Sequence, residues 1–290
     1  MWIGKLKKGL SSRFVRNAGW LGFAELVNRV SRLGATVVIA RLLSPQDYGL
    51  VAIVLTVNEF SSVFTLRAGI GSKLVQAFEA EVDVLCDTAY WMNWILCGSI
   101  ALIQCMTAFL VAWVYGNSQV ILPICVLALT YLMLPTFAVP IALIYRENRL
   151  KVPAICNAVQ AVLSNFLTVL FALLGFGMWA IVLPIVLTLP VWIFISRRNH
   201  PWRSKQPFTL YRWKEIADFS LNILGVDLLN KLRNNLDYLL VGGFLGLKSL
   251  GIYYFAFNAG LGISLNVIQS LTWSLFPHLC ESRDDLTELK

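Results

Sequence analysis

The sequence predicts an all-α polytopic membrane protein, and three features support this fold class. Hydrophobic residues make up 58% of the 290-residue chain, and charged residues make up only 14%. The mean hydropathy of +0.69 is far above what a soluble domain of this length needs for its core. Apolar runs of roughly 20 residues, each long enough to cross about 30 Å of hydrocarbon as a helix, recur along the whole chain.

These runs predict about eight transmembrane helices. They cover approximately residues 18–41, 48–66, 88–114, 120–145, 154–174, 178–196, 217–243 and 250–275. Before the first run, MWIGKLKKGLSSRFVR places Trp2, Leu6, Leu10 and Phe14 on one helical face, away from the lysines. That spacing predicts an amphipathic helix over residues 1–16 that lies in the membrane interface and contacts lipid.

The basic residues predict the orientation. Most of the 24 Lys and Arg residues fall before helix 1 or after helices 2, 4, 6 and 8, whereas the opposite connections hold only Arg41 and Lys248. Cytoplasmic loops carry an excess of Lys and Arg, so we expect both termini in the cytoplasm. The net charge of +8 then follows from topology, and nucleic-acid binding is not needed to explain it, even for the basic loop at 197–214.

The sequence shows no catalytic or metal-binding pattern. Its six cysteines have no CxxC or Cys/His spacing, so we expect free thiols, with neither a metal site nor a disulfide. Asp47 follows Ser-Pro and is expected to cap a helix. The acids of KLVQAFEAEVDVLCD, residues 73–87, are expected to form a solvated face. We therefore expect no cofactor and no enzymatic activity.

One polar segment occurs twice. ELVNRVSRLGATVVIARLLSPQDYGLVA, from Glu25, aligns without a gap with DLLNKLRNNLDYLLVGGFLGLKSLGIYY, from Asp227. The alignment pairs Glu25 with Asp227, Asn28 with Asn230, Arg29 with Lys231 and Gly49 with Gly251, always 202 residues apart (227 minus 25). Six predicted helices separate the starts of the two copies, so the copies have the same orientation. Parallel repeats of this kind occur in transporters built from two halves.

The polar residues of each copy lie on one helical face. The first stripe consists of Glu25, Asn28, Arg29, Arg32 and Thr36, and the second stripe consists of Asp227, Asn230, Lys231, Asn234 and Tyr238, with the same spacing. Ionised groups at the centre of a transmembrane helix cost about 2.5–3.5 kcal/mol each, so neither stripe is expected to face lipid. The stripes face each other, other protein or a water-filled cavity.

Two interpretations of the stripes remain open. The acid-to-base pairs Glu25 to Arg29 and Asp227 to Lys231 can neutralise each other within one helix, and the stripes would then only hold helices together. Arg32, however, has no acid four residues away, and its surplus charge suits a cavity that binds an anion. Two further acids within predicted helices, Glu59 and Asp237, are either structural partners or functional groups.

Several segments together resemble a known family. ARLLSPQDYGLVA, GIGSKLVQ, YRENRLKVPA, LLGFGMWAIV and FLGLKSLGIYYFAFNAG, followed by LFPHL, occur in this order. In order and spacing they resemble the Wzx-type polysaccharide flippases of the multidrug/oligosaccharidyl-lipid/polysaccharide exporter superfamily. The likeness covers nearly the whole chain from about Asn17 to Lys290.

The resemblance implies two six-helix lobes around a central cavity that opens alternately to the two sides of the inner membrane. The first lobe would be complete at 17–200, the basic linker would occupy 201–216, and 217–290 would supply the first two helices of the second lobe. Because relatives continue with further helices, we expect the chain to be a fragment, or else a truncated product.

The resemblance also implies a cargo, an oligosaccharide on an undecaprenyl pyrophosphate carrier, and coupling to an ion gradient. Arg29, Arg32 and Lys231 would then hold the pyrophosphate, since guanidinium groups bind phosphate oxygens well. The amides of Asn28, Asn230 and Asn234 would bind sugar or phosphate. The acids Glu25, Asp227, Glu59 and Asp237 are the candidates for coupling Na+ or H+. A multidrug or cation antiporter and a lipid II flippase are the alternatives within the superfamily.

Overall fold

The computed structural model describes residues 12–204 and 208–260, and all regular structure in those ranges is helical. The all-α prediction is therefore confirmed. Most of the predicted interfacial helix, at residues 1–11, lies outside the described residues, as does most of predicted helix 8.

Ten α-helices make up the described chain. They are α1 Ser12–Leu42, α2 Pro45–Val63, α3 Arg67–Gln76, α4 Val82–Tyr115, α5 Ile121–Met133, α6 Pro135–Arg146, α7 Lys151–Leu173, α8 Trp179–Thr188, α9 Pro190–Asn199 and α10 Trp213–Gly260. Short 3-10 turns at Glu79–Glu81 and Ser118–Val120 precede α4 and α5.

Five candidate membrane spans are long and apolar enough to cross a bilayer: 45–76, 82–115, 151–173, 179–199 and 213–258. The bent pair α5 and α6, which meet at 52°, would make a sixth. The predicted number of about eight is thus not reached within the described residues. The charged residues of the first stripe interrupt the apolar sequence of α1, and α10 counts once although it contains two predicted helices.

Four of the six spans, counting the bent pair as one, are interrupted rather than straight. Leu66, in the left-handed conformation at φ 53°, separates α2 from α3. Pro135 begins α6 and Pro190 begins α9. Proline cannot donate the helical hydrogen bond and clashes with the preceding turn, so it bends or breaks a helix. Gly246, at φ 79° and ψ 174°, breaks α10 into a first arm, 213–245, and a second arm, 247–260.

A capping box starts α2, as the sequence predicted for Asp47. The Ser44 hydroxyl accepts a hydrogen bond from the Asp47 amide at 3.1 Å, and the Asp47 carboxylate accepts one from the Ser44 amide, also at 3.1 Å. This reciprocal arrangement satisfies two amides that the helix cannot pair internally. Asp47 is therefore structural.

The main apolar core lies where α2 packs along α10. Val51, Ala52 and Val54 of α2 are fully buried, together with Ile124 and Leu127 of α5. Burial on this scale is what positions α2 and α10 relative to each other. A separate contact holds α1 along α7, where the Asn165 amide donates to the Ser31 hydroxyl at 2.9 Å.

Two glycines allow α2 and α10 to approach closely, and they are counterparts in the repeat. A Cβ added to Gly49 would overlap the carbonyl oxygen of Leu247, and a Cβ added to Gly251 would overlap that of Pro45. The repeat spacing of 202 residues relates Pro45 to Leu247 as it relates Gly49 to Gly251. Gly49 of the first copy therefore packs against Leu247 of the second copy, and Gly251 of the second copy packs against Pro45 of the first. The contact is reciprocal.

The basic side of the bundle is held by ion pairs. Arg212 contacts Glu81 at 2.8 Å and Glu215 at 2.5 Å, and Lys73 contacts Glu215 at 2.6 Å. Hydrogen bonds to these two acids raise the pKa of Arg212. Glu79 pairs with Arg146 at 2.8 Å. Two of the acids expected to form a merely solvated face thus form ion pairs between elements.

Candidate functional site

The first stripe lies half-buried on α1, a helix whose apolar neighbours Leu26, Val30 and Leu33 are exposed. Arg29 Nε donates to Glu25 Oε1 at 3.0 Å, which is the predicted pair within one helix. Arg29 Nη2 is buried and has no hydrogen-bond partner among the described residues. The Glu25 carboxylate therefore accounts for only part of the donor capacity of Arg29.

Arg32 joins the first stripe to the second arm of α10. Its Nη2 donates to the backbone carbonyl of Asn258 at 2.8 Å. Thr36 Oγ1 donates back to the Arg32 carbonyl at 2.8 Å, one turn along α1. Arg32 thus links the first copy of the repeat to the second arm of α10, four residues beyond the end of the second copy at Tyr254. Its partner is a carbonyl, so this bond does not neutralise its charge.

The second stripe forms an ion pair with α2 rather than within its own helix. Lys231 Nζ contacts Glu59 Oε2 at 3.0 Å, with side chains 36% and 45% exposed. The same oxygen accepts a hydrogen bond from Asn235 Nδ2 at 3.2 Å. The sequence had suggested Asp227 as the neutralising partner of Lys231, whereas Glu59, singled out as an isolated acid, makes the ion pair.

The other predicted residues of the second stripe have different environments. Asn230 and Asn234 are exposed and Asp227 is half-buried. Tyr238 is buried against the rings of Tyr253, Tyr254 and Phe257, so it belongs to the core at that level.

Asp237 lies next to the second stripe in a hydrogen-bonded setting. Its Oδ2 accepts from the Tyr253 hydroxyl at 2.7 Å. Its Oδ1 is buried and has no hydrogen-bond partner in the described part of the chain. One carboxylate oxygen that accepts from a hydroxyl and one that does not is an arrangement that could take up a proton or a small cation.

Two of the predicted site residues, Arg32 and Lys231, make contacts between helices. Arg32 joins α1 to the second arm of α10, and Lys231 joins the first arm of α10 to α2. Within 12–204 and 208–260, no recorded hydrogen bond or ion pair joins the first stripe directly to residues 227–234. The two stripes are connected only indirectly in these contacts. The first stripe contacts the second arm of α10, the second stripe contacts α2, and α2 packs along α10.

Sequence reasoning missed three kinds of residue. Asn235 was one position off the predicted face, yet it is buried and bonded to Glu59. The backbone carbonyl of Asn58, beside Glu59, accepts from the Tyr131 hydroxyl at 2.8 Å, a contact between α2 and α5. Arg67 was assigned to a cytoplasmic connection, but it lies within the candidate span 45–76.

No metal centre was predicted, and the described residues contain no group of three His, Cys, Asp or Glu side chains placed to hold a metal ion. The cysteines recorded there are free thiols.

Comparison with known proteins places this arrangement in a family. A family model described as a polysaccharide biosynthesis protein matches residues 38–290. The succinoglycan biosynthesis transport protein ExoT of Rhizobium meliloti (strain 1021) is 25% identical over 263 residues, covering 90% of this chain and 53% of ExoT.

Two further relatives are more distant. An uncharacterized membrane protein in the cps region of Klebsiella pneumoniae is 20% identical over 287 residues, covering 97% of this chain and 58% of the relative. The teichuronic acid biosynthesis protein TuaB of Bacillus subtilis (strain 168) is 22% identical over 223 residues, covering 75% of this chain and 45% of TuaB.

The chain spans about half the length of the curated relatives it matches. No solved structure matches it significantly. The resemblance to Wzx-type flippases is confirmed, and the chain belongs to the polysaccharide biosynthesis protein family.

Proposed function

We propose that the full-length protein flips an undecaprenyl-pyrophosphate-linked oligosaccharide across the inner membrane during the synthesis of a surface polysaccharide. The single observation that carries this proposal is the pair of polar stripes on long helices of a largely apolar bundle: Arg32 of the first stripe bonds the second arm of α10, and Lys231 of the second stripe pairs with Glu59 of α2. The coarser role in polysaccharide biosynthesis and transport is that of its family and relatives.

Charge supports an anionic cargo. Arg32 is bonded to an uncharged carbonyl, and Arg29 keeps one buried nitrogen unpartnered among the residues described. A phosphate group would bring an opposite charge to both guanidinium groups and can accept two parallel hydrogen bonds from one of them. Arg29, Arg32 and Lys231 are therefore our proposed pyrophosphate ligands.

Sugars need uncharged polar partners that do not compete for the phosphate. Asn28 is half-buried in the first stripe, while Asn230 and Asn234 are exposed in the second. Each amide offers both a donor and an acceptor, which matches a sugar hydroxyl. These three side chains are the proposed contacts for the oligosaccharide as it crosses.

The reciprocal glycine contact supports transport by alternating access. A two-fold relationship between two halves places each contact opposite its counterpart, as Gly49 and Gly251 are placed. The contact joins the start of α2 to the start of the second arm of α10, next to the break at Gly246 and remote in the sequence from the basic loops. By the distribution of Lys and Arg, this end faces away from the cytoplasm, and the termini are cytoplasmic.

The acids are proposed to couple flipping to an ion gradient. Glu59 is the prime candidate because it bridges α2 to α10 through Lys231 and Asn235. Protonation of Glu59 would weaken that bridge and let the two helices separate. Asp237, with one oxygen bonded to Tyr253, is a second candidate, and Glu25 and Asp227 are the predicted acids of the two stripes.

The proposal is tested in cells that lack the full-length gene, compared with cells that carry it. The lipid-linked oligosaccharide pool is extracted and its leaflet is determined by access of a periplasmic glycosidase. We expect accumulation in the cytoplasmic leaflet with loss of surface polysaccharide, and the accumulated sugars would identify the cargo. Unchanged pools together with increased sensitivity to cationic drugs would contradict flipping and favour an antiporter. Accumulated lipid II would identify a lipid II flippase.

A further inference from the structure

Arg67 is an arginine inside a membrane-crossing segment. It is the first residue of α3, directly after the left-handed Leu66, and lies within the candidate span 45–76. Nine residues separate it from the end of α3 at Gln76, which is about 14 Å at the helical rise. Although apolar residues surround it in the sequence, its side chain is exposed.

Two aromatic rings hold the Arg67 guanidinium. Its Cζ lies 5.6 Å from the centroid of the Phe137 ring and 6.0 Å from that of the Trp192 ring. The two rings are 5.8 Å apart and inclined at 31°. Phe137 and Trp192 belong to the first turns of α6 and α9, so Arg67 lies where three interrupted spans come together.

The aromatic platform is itself fixed. Trp192 Nε1 donates to Gln160 Oε1 at 2.5 Å, and Gln160 Nε2 donates in turn to Thr188 Oγ1 at 3.4 Å. Phe137 is 1% exposed and Trp192 is 8% exposed. The two rings therefore have fixed positions, and they orient the Arg67 guanidinium.

Arg67 differs from four other cations of the helices in its contacts. Lys231 pairs with Glu59, Lys73 pairs with Glu215, and the stripe arginines reach a carboxylate or a carbonyl. Among residues 12–204 and 208–260, no oxygen acceptor is recorded for the Arg67 guanidinium. Aromatic faces balance part of its charge, but a ring face provides no oxygen acceptor for the five N–H donors of the guanidinium fork.

We propose that Arg67 binds a phosphate group of the lipid-linked cargo, and that it forms a second anion site in the first lobe on the cytoplasmic side of the Glu59–Lys231 pair. This inference rests on the proposed function. The fork of a guanidinium matches two phosphate oxygens at once, and the rings cover its apolar face. Arg67 lies eight residues beyond Glu59 along the chain, past the break at Leu66.

This position gives the site a defined part in transport. A diphosphate coming from the cytoplasmic leaflet would meet Arg67 before it reaches the stripes. Because Arg67 has no acidic partner recorded in the described structure, binding there displaces no ion pair, whereas binding at Lys231 must compete with Glu59. Arg67 would therefore contribute to cargo affinity in the cytoplasm-facing form.

The test measures binding of a short prenyl diphosphate to the purified full-length protein in detergent. Farnesyl pyrophosphate, inorganic pyrophosphate and farnesol are titrated by calorimetry against the parent, Arg67→Ala, Arg67→Lys and a control, Arg233→Ala. Arg233 is an exposed arginine within α10 that bonds only its neighbour Asn234 in the recorded contacts. Size-exclusion profiles and Tm verify that each variant is folded.

We expect Arg67→Ala to weaken farnesyl pyrophosphate binding at least tenfold, Arg67→Lys to recover part of it, and Arg233→Ala to bind within twofold of the parent. Inorganic pyrophosphate that binds with the same dependence on Arg67 would assign the site to the phosphate alone, and weaker binding would show that the prenyl chain contributes.

Equal affinity in folded Arg67→Ala and the parent would overturn the inference, and so would a parent that binds neither diphosphate. Failure of the proposed function is detected separately, as unchanged lipid-linked pools in cells. Diphosphate binding that depends on Arg67 in a protein whose deletion leaves those pools unchanged would retain the anion site and reject flipping.

Discussion

The substitution Gly251→Ala should force apart the start of α2 and the start of the second arm of α10. An added Cβ would lie 2.8 Å from the Gly49 nitrogen and 2.9 Å from the Pro45 carbonyl carbon, and closer still to the Pro45 oxygen. Optimal carbon contacts need about 3.5–4.0 Å, and the overlap with the Pro45 oxygen is the most severe, so the backbones must separate by considerably more than about 1 Å. Overpacking of this kind costs about 1–3 kcal/mol.

That cost falls on one conformation if the contact breaks during transport. When the transporter opens at this end, the added methyl group no longer meets α2, and the open state does not bear the cost. A difference of about 1–3 kcal/mol between two states shifts their ratio by about 5- to 150-fold. Gly251→Ala should therefore favour the form open away from the cytoplasm and reduce transport.

The assay is hydrogen exchange of the full-length protein, read at peptides that cover residues 44–52 and 247–255. Gly243→Ala is the matched control, because it lies on the same helix and a Cβ there meets nothing within 4 Å. We expect faster exchange in both peptides for Gly251→Ala and for Gly49→Ala, and no change for the control. Parent-like exchange and transport in Gly251→Ala would refute the reasoning.

Three further experiments with substituted proteins test the remaining contacts. Arg32→Ala should abolish transport without preventing membrane insertion, whereas Leu33→Ala on the flank of the stripe should lose much less; equal losses in flux assays would show that helix packing dominates. Glu59→Lys should impair transport, and adding Lys231→Glu should restore part of it by remaking the ion pair in reverse; a double variant no better than the single one would rule out a functional pair. Arg212→Ala, which removes two part-exposed ion pairs, to Glu81 and Glu215, should leave Tm and flux nearly unchanged in a thermal scan and a flux assay, since such pairs contribute little. A large fall in either would show that these contacts control the bundle.

The repeat was visible in the sequence because its polar residues keep one spacing in an apolar background. That spacing correctly placed Glu25 and Arg29 in contact on α1. The apolar runs placed the predicted connection between two helices at 244–249, and the α10 break at Gly246 lies inside it. Local patterns of this kind depend on helix geometry alone, so the sequence is sufficient to predict them.

Partners across helices could not be predicted in the same way. Glu59 and Lys231 are 172 residues apart in the chain, and only the packing of α2 against α10 makes them neighbours. Arg67 was missed for a different reason. A basic residue ends an apolar run in a hydropathy profile, whereas here the span continues through it to Gln76. Its aromatic platform comes from helices that begin 68 and 123 residues later.

The central claim, that the protein moves a lipid-linked oligosaccharide across the membrane, is tested most directly in proteoliposomes. The full-length protein is reconstituted with the lipid-linked oligosaccharide extracted from cells that lack it, and the fraction of cargo open to an added glycosidase is followed in time. We predict that cargo in the inner leaflet becomes accessible only in vesicles that contain the protein, and far more slowly with Arg32→Ala. Equal accessibility in protein-free vesicles and in vesicles with the parent protein would contradict the account.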